Sequence, residues 1–449
     1  MRIVIVGAGN VGYNLARLLS KRHDVLVIEK DPGRCAYVEE HLDVDVICGN
    51  GANVKLLNEA VAMGAKMLIA LTNVDEVNIV ACISIKRLDE DVLTVARVRN
   101  PDYVDTPVSS RKFVGVDIMI SPEMLTATKV LQIISIPGAI DYEAMPNLGV
   151  EIIQFKIEEE HTSLIDIPLK DLPIPKECIV VAIHRDGNII IPKGEDVFLA
   201  KDRVIVIGKP QSTHAFARLF GDASELKRFV LVGGSIAGLY IAKLLDEKKL
   251  DVKLIEEDEE RCRVLSEQLK NVLVIHADAT DPNVLRNEKV GNADALVCIT
   301  DNEEKNLLCS LIGKKMGVPK VVARFAKVEY EEIFDMVGVD AAVGYHQVMA
   351  NEVVKQIFRE RTEAVLILER FSEEVIGLTV DSKAKIAGKP LRAVKFPEGA
   401  IIALVLRGEE VIIPKGETVL NEGDRVVLFT LTDEIPKLEK LFHTTLPLR

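Results

Sequence analysis

The sequence predicts an α/β protein in which two doubly wound parallel-sheet domains, each followed by a small α+β domain, stand in tandem repeat. Three observations predict it. The opening MRIVIVGAGNVG, an apolar strand running into a glycine-rich turn, returns as RFVLVGGSIAG at 228–238. Downstream, DVLVIEKDPGRC (24–35) returns as DVKLIEEDEERC (251–262), MLIALTNVDEVN (67–78) as ALVCITDNEEKN (295–306), and VAR at 95–97 as VAR at 322–324. The rest of each unit repeats too, because IIIPKGEDVFLAKDRVIVIG (189–208) answers VIIPKGETVLNEGDRVVLFT (411–430). Self-similarity on this scale marks duplication of whole domains. The chain reads A-B-A-B, with domains expected at 1–120, 139–221, 226–345 and 366–449.

In the first A block, apolar runs predict strands near 2–6, 25–29, 44–48, 67–72, 92–98 and 117–121. After the glycine turn, Val11, Leu15, Leu18 and Leu19 recur at the spacing of one helix face. Strands alternating with such helices need crossover connections, which build a parallel sheet covered on both faces. Each B block instead holds short runs bounded by Pro and Gly, such as 150–157 and 179–183, with P-K-G-E expected to turn a hairpin. Between A and B, MLTATKVLQIISIPG (124–138) reads as a helix ended by Pro137-Gly138, and VMANEVVKQIFRER (348–361) is its counterpart. Such helices serve as dimer-forming arms or as plain linkers.

Composition narrows the function. The 449 residues are 48% hydrophobic and 28% charged, a globular balance. A net charge of -13, no Trp and 4% aromatic residues remove both the basic footprint and the stacking platform of a nucleic-acid binder. No apolar run approaches the roughly 18 residues of a membrane span, and Met1-Arg2 leads directly into a strand, so a cytosolic location is expected. The seven cysteines (Cys35, Cys48, Cys82, Cys178, Cys262, Cys298, Cys309) are odd in number and form no C-x-x-C pair. They read as reduced structural thiols, with the equivalent Cys35 and Cys262 packed inertly in helices. The histidines show no zinc-site spacing, and no metal site is expected.

The glycine turn carries the chemistry. In Gly7-Ala8-Gly9-Asn10-Val11-Gly12, the first glycine makes the tight turn, the second lets backbone approach a pyrophosphate, and the third permits close helix-on-strand packing. The amides near Asn10 and Val11 face an anion at the positive end of the helix. The next strand ends in Glu29, where a Rossmann-type fold places an acid against a ribose diol. That acid disfavours a 2'-phosphate and identifies a ribose rather than a nicotinamide, leaving NAD, ATP, ADP, AMP and S-adenosylmethionine as candidates. The second turn, Gly233-Gly234-Ser235-Ile236-Ala237-Gly238, keeps its outer glycines and repeats the acid as Glu256. Ser235 replaces the middle glycine, adding a side chain where a pyrophosphate comes closest. No catalytic constellation stands out. The alternative of an NAD-dependent oxidoreductase needs a substrate domain with an acid or base beside the nicotinamide, which the A-B-A-B order does not supply.

These stretches together resemble the regulator-of-potassium-conductance (RCK) domain, with its N-terminal and C-terminal halves: strand-GAGNVG-helix, the acid of VLVIEKDP, ALTN with Thr72 and Asn73, VAR with Arg97, then IPKGEDVFLAKDRVIVIG. Two such units in one chain are similar to the cytosolic regulatory subunits of Trk-type potassium uptake systems. The resemblance implies a non-enzymatic subunit that binds NAD+, NADH or adenine nucleotides. It also implies a homotetramer whose nucleotide-binding domains form a ring beneath a membrane potassium-translocating partner. Carried over by position, it places Asn50 on the adenine side, with Thr72, Asn73 and Arg97 lining the rest. In the second copy the corresponding positions are Gly233, Gly238, Glu256, Asp278, Thr300 and Arg324. Asn50 departs from the aspartate frequent in the family, and Ser235 from the glycine.

Overall fold

A computed structural model describes the chain except residues 22, 105, 112–114, 222–225, 328, 360–364, 367–372, 409 and 444–449. The last residues expected in the second connecting helix, 360–361, and parts of the last expected domain lie outside the described residues. Among the described residues two compact units emerge: Met1–Thr126 with Tyr345–Val353, and Ala127–Gly344 with 354–443.

The first unit is built on a seven-stranded sheet of β1 (Arg2–Val6), β2 (Asp24–Glu29), β3 (Asp45–Cys48), β4 (Ala65–Ala70), β5 (Leu93–Arg97), β6 (Val108–Arg111) and β7 (Val116–Ile120). Their order is β3-β2-β1-β4-β5-β7-β6. Ile3, Val4, Ile5 and Val6 are all buried, as a strand covered on both faces requires. Six strands are mutually parallel and start within two residues of expectation. The seventh, β6, runs antiparallel to β7 and was not foreseen. Its sequence, VSSR, has neither the apolar run nor the alternation that announces a strand. The glycine turn ends β1 and opens the helix Asn10–Leu19 beside the topological switch between β1 and β4, the crevice where such sheets take ligands. The first connecting helix, Pro122–Ser135, stops short of Pro137.

The second unit carries both small domains and the second nucleotide-type sheet. The first small domain contains β8 (Ala139–Met145), β9 (Val150–Lys156), β10 (Cys178–Arg185), β11 (Asn188–Ile190) and β12 (Arg203–Gly208), in the order β11-β10-β12-β9-β8. The P-K-G-E expectation fails here. Strands β11 and β12 lie on opposite sides of β10, so Pro192-Lys193-Gly194 belongs to the crossing between them. The hairpin is turned by Asp186-Gly187, both at positive φ (51° and 76°), the conformation a two-residue hairpin demands. The sheet that follows, β13 (Arg228–Val232), β14 (Asp251–Glu256), β15 (Leu273–His276), β16 (Ala295–Cys298), β17 (Lys320–Phe325) and β18 (Ala341–Gly344), is ordered β15-β14-β13-β16-β17-β18. Its pairs are all parallel. The second connecting helix spans Tyr345–Arg359.

The second small domain holds β19 (Val365–Leu366), β20 (Glu373–Thr379), β21 (Ala400–Arg407), β22 (Glu410–Ile412) and β23 (Arg425–Leu431). The two small domains share one core: Ile152, Val181 and Ile205 of the first pack in the same cluster as Leu404, Val427 and Phe429 of the second. Among the described residues no helix is long and apolar enough to cross a membrane.

Candidate nucleotide sites

In the first turn, steric demand explains two glycines and leaves the third to function. Gly7 has φ +95°, and a Cβ on Gly12 would lie 1.9 Å from the Gly7 carbonyl oxygen. A Cβ on Gly9 meets nothing within 4 Å. Protein packing therefore does not require Gly9 to be glycine, and the open space beside it fits a ligand. Gly9 caps the helix without a side chain, and the first helical bond runs from the Tyr13 amide to the Gly9 carbonyl at 2.8 Å. The amides of Asn10, Val11 and Gly12 precede that bond and stand at the positive helix end.

Glu29 braces the turn from below. One carboxylate oxygen accepts from the Ala8 amide at 2.6 Å, and the other accepts from Lys30 at 2.8 Å and Asp31 at 3.0 Å. Arg34 Nε donates to the Ala8 carbonyl at 2.6 Å. Asn50 is exposed at the mouth, where its Oδ1 accepts from the Ala52 amide at 3.0 Å. On the other side, Thr72 is held by a residue that sequence reasoning did not single out. Asn78 accepts from the Thr72 amide at 2.9 Å and hydroxyl at 2.7 Å, and it donates to the carbonyls of Thr72 at 3.0 Å and Arg97 at 2.9 Å. Its signal was present, since asparagine closes both MLIALTNVDEVN and ALVCITDNEEKN. Arg97, at the end of β5, is buried; Nη1 donates to Asn73 Oδ1 at 3.2 Å and Nη2 to the Tyr345 hydroxyl at 3.0 Å. Nothing local in the sequence announces Tyr345 as a neighbour of Arg97.

The second turn repeats this frame around a cleft of about 760 Å³ lined by Gly233, Gly234, Ser235, Glu256, Asp278 and Thr300, among others. Gly233 has φ +104°, and a Cβ on Gly238 would come within 2.2 Å of its carbonyl oxygen. Glu256 accepts from the Gly234 amide at 2.5 Å, and Arg261 Nε donates to the Gly234 carbonyl at 2.6 Å. Asn306 holds the Thr300 amide at 2.9 Å and the Arg324 carbonyl at 2.9 Å. The Thr280 amide and hydroxyl donate to Asp278 and hold its carboxyl below the usual carboxylate range.

Besides Asn50 against Asp278, the two sites differ in three places. The Ser235 hydroxyl donates to the Ile299 carbonyl at 2.8 Å and accepts from the Gly238 amide at 3.3 Å, so this helix, which opens with Ile236 and the buried Ala237, caps itself with a donor the first turn leaves open. Arg324 pairs with Asp301, where Arg97 pairs with Asn73 and Tyr345. The third difference corrects the reading of the cysteines: Cys35 and Cys48 form a disulfide, with Cα atoms 6.1 Å apart. Register explains it. Cys48 pairs with Glu29 across β2 and β3, and Cys35 lies over the Glu29 carbonyl. In the second copy His276 takes the place of Cys48, leaving Cys262 a buried free thiol. Among the described residues no group of His, Cys, Asp and Glu is arranged to hold a metal ion.

Known proteins share this arrangement. The TrkA-N domain model matches residues 3–122 and 229–344, and the TrkA-C domain model matches 152–221 and 375–443. A protein of Methanosarcina mazei described as Trk system potassium uptake protein TrkA homolog 1 is 44% identical over 98% of this chain and 100% of its own length. The Archaeoglobus fulgidus homolog is 38% identical over 99% of this chain and 100% of its own. The TrkA of Azorhizobium caulinodans is 31% identical over 99% of each. Among solved structures, the GsuK RCK domain aligns with TM-score 0.61 and 19% identity over 98% of this chain and 95% of that one. The GsuK channel bound to NAD aligns with TM-score 0.62 and 19% identity over 98% and 79%. At that identity the structures speak for the fold alone. Both domain models match twice and in alternation, relatives align along nearly the whole length, and the chain belongs to the TrkA family.

Proposed function

We propose that this chain is the regulatory subunit of a Trk-type potassium uptake system, binding NAD(H), ATP or ADP in its clefts and gating potassium passage through a membrane partner. One observation carries the reading: the glycine turn, the acid beneath it and the threonine and arginine opposite are built twice, in a chain whose full-length relatives are described as Trk system potassium uptake proteins. In the first cleft the amides of Asn10, Val11 and Gly12 take the pyrophosphate, with Ala8 and Gly9 giving it room. Glu29 faces the ribose diol, with a lone pair left beyond the three amides it accepts from. Asn50 stands at the adenine end, and Thr72, Asn73 and Arg97 at the phosphates. Gly233, Gly234, Ser235, Ile236, Ala237, Gly238, Glu256, Asp278, Thr300 and Arg324 are their second-site counterparts.

A bound nucleotide supplies phosphate charge and an adenosine face, and no bond in it is broken. The subunit is a ligand-operated part, not an enzyme. It works as a homotetrameric ring at the cytoplasmic face of the membrane, and the ring moves only through a difference in ligand affinity between its states. A tenfold preference supplies about 1.4 kcal/mol per site, and several sites acting together multiply the bias. The test is Gly9→Asp, at a position where an added Cβ meets nothing within 4 Å. It is expected to abolish first-site binding of NADH and ADP by calorimetry. It is also expected to uncouple potassium uptake from nucleotide level in cells carrying the membrane partner. Unchanged regulation by the folded, non-binding variant overturns the reading.

A further inference from the structure

The second connecting helix begins inside the first unit, against the phosphate end of the first cleft. Two consecutive residues make the contact. The Tyr345 hydroxyl accepts from Arg97 Nη2 at 3.0 Å and donates to Glu123 Oε1 at 2.8 Å, an oxygen that Arg99 Nε also meets at 2.8 Å. The Arg97 guanidinium lies 5.9 Å from the centre of the Tyr345 ring. Next in sequence, His346 Nε2 lies 3.5 Å from Nδ2 of Asn10, the first residue of the glycine-turn helix. The start of this helix thus spans the two groups, Arg97 and the Asn10 end, between which a phosphate would sit.

The network is buried and incompletely satisfied. Arg97 is 6% exposed, Glu123 4% and Tyr345 4%. Arg97 Nε and Glu123 Oε2 have no hydrogen-bond partner among the described residues. A buried guanidinium with an unmet donor, tied to a neutral hydroxyl, gains by exchanging that hydroxyl for a charged oxygen, because the anion adds direct Coulomb attraction and its planar or forked oxygens can meet two guanidinium donors at once. At the second site the arginine has a different partner: Arg324 pairs with a carboxylate, Asp301, where Arg97 meets a neutral hydroxyl.

We propose that Tyr345 and His346 cover the phosphate end of the first nucleotide site, and that Tyr345 is the positioning residue through which a bound phosphate acts on the second connecting helix. The proposal rests on the first cleft's being a nucleotide site. A phosphate oxygen takes the Arg97 donor now given to Tyr345, and the Tyr345 hydroxyl, with that bond lost, holds the start of the helix less firmly. The helix follows Gly344, the last residue of β18, without a break. First-site occupancy is therefore felt by the segment that leads out of the second nucleotide-type sheet. Linkage makes the effect reciprocal: whatever loosens Tyr345 strengthens phosphate binding.

Peptide-resolved hydrogen exchange on the full chain tests this. Protection of 7–19 reports first-site occupancy, and protection of 345–353 reports the start of the helix. ADP and NADH are expected to protect 7–19 while deprotecting 345–353, and adenosine, which has no phosphate, to protect 7–19 alone. Tyr345→Phe keeps the ring and removes the hydroxyl. It is expected to raise first-site affinity for ADP and NADH by about three- to tenfold, leave adenosine unchanged, and silence the response at 345–353. Glu123→Gln, a second variant that weakens the anchor, shifts affinity in the same direction. If ADP protects 7–19 with 345–353 unmoved, or if adenosine gains as much as ADP in Tyr345→Phe, the proposal is overturned and the nucleotide reading stands. If none of the three ligands protects 7–19, both fall.

Discussion

Asn78 donates to the carbonyl oxygen of Arg97 at 2.9 Å, and Asn306 repeats the bond to Arg324 at the same length. In each copy one buried amide ties the threonine loop after the fourth strand to the arginine ending the next, fixing the far wall of the cleft. Asn78→Ala leaves the Thr72 amide and two carbonyls without this partner. It is expected to cost about 2–3 kcal/mol by urea denaturation, and to weaken ADP binding at the first site while sparing the second. Asn306→Ala gives the mirror result.

The serine of the second turn gives a swap experiment. Ser235→Gly removes a cap that costs only a few tenths of a kcal/mol to replace by glycine, and it frees the Gly238 amide for an anion. ADP affinity at the second cleft is expected to rise by about three- to tenfold in calorimetry, with stability nearly unchanged. Gly9→Ser, the reverse change in open space, lowers first-site affinity by a similar factor.

The Cys35–Cys48 bond closes a loop of sequence separation 13 in the first copy alone. Reduction, or Cys48→Ser, is expected to lower the stability of the first nucleotide fold by about 3 kcal/mol, chiefly by releasing the unfolded chain. Local stability from hydrogen exchange checks it: peptides of the first fold shift, while those of the second, where His276 faces Glu256, do not.

Alkaline pH is expected to destabilise this protein through its buried thiols. Burial pushes Cys178 and Cys309 up to about 12 and holds Cys82 and Cys298 well above the usual thiol range. In the unfolded chain these groups ionise near about 8.5. Their contribution is fully present below that pH and is lost as pH rises toward the folded values, on the order of 1 kcal/mol per thiol per pH unit above about 9. Lys320 opposes the trend. Burial lowers its amine to about 8, so its own contribution rises from there toward the ordinary lysine value. Urea midpoints between pH 7 and 10 are expected to fall, more steeply in Lys320→Met and less steeply in Cys82→Ala.

What was legible in the sequence is what repeats or is local. Glycines that a steric lock demands, such as Gly12 and Gly238, appear at fixed offsets from an apolar strand, and the duplication doubled the signal. The acids Glu29 and Glu256 followed from strand length. Strand β6 escaped because four residues at a sheet edge bury too little to need an apolar pattern. The Pro-Lys-Gly stretch misled because a proline and a glycine signal a bend without saying which strands it joins, whereas Asp186-Gly187 carried the conformational requirement. The disulfide depends on how β2 and β3 come into register, and the Arg97–Tyr345 contact on a pairing between segments far apart in the chain, and a single sequence encodes neither in any local spacing. Asn78 lies between these cases, visible in the repeat and overlooked because an asparagine in a helix has many ordinary uses.

The common core beneath the two small domains bears on how this chain came to be. A single A-B unit would leave Ile152, Val181 and Ile205 uncovered and would need a second copy of itself to hide them. Joining the copies end to end turns that meeting of equals into an intramolecular one, present at any concentration. It also breaks an equality that identical partners must keep. Once the halves are encoded separately, a serine can enter one turn, a disulfide can form in one fold and a tyrosine can be set against one arginine, with the other half left as it was. Two copies in one chain can be adjusted independently, as two copies of one shorter chain cannot.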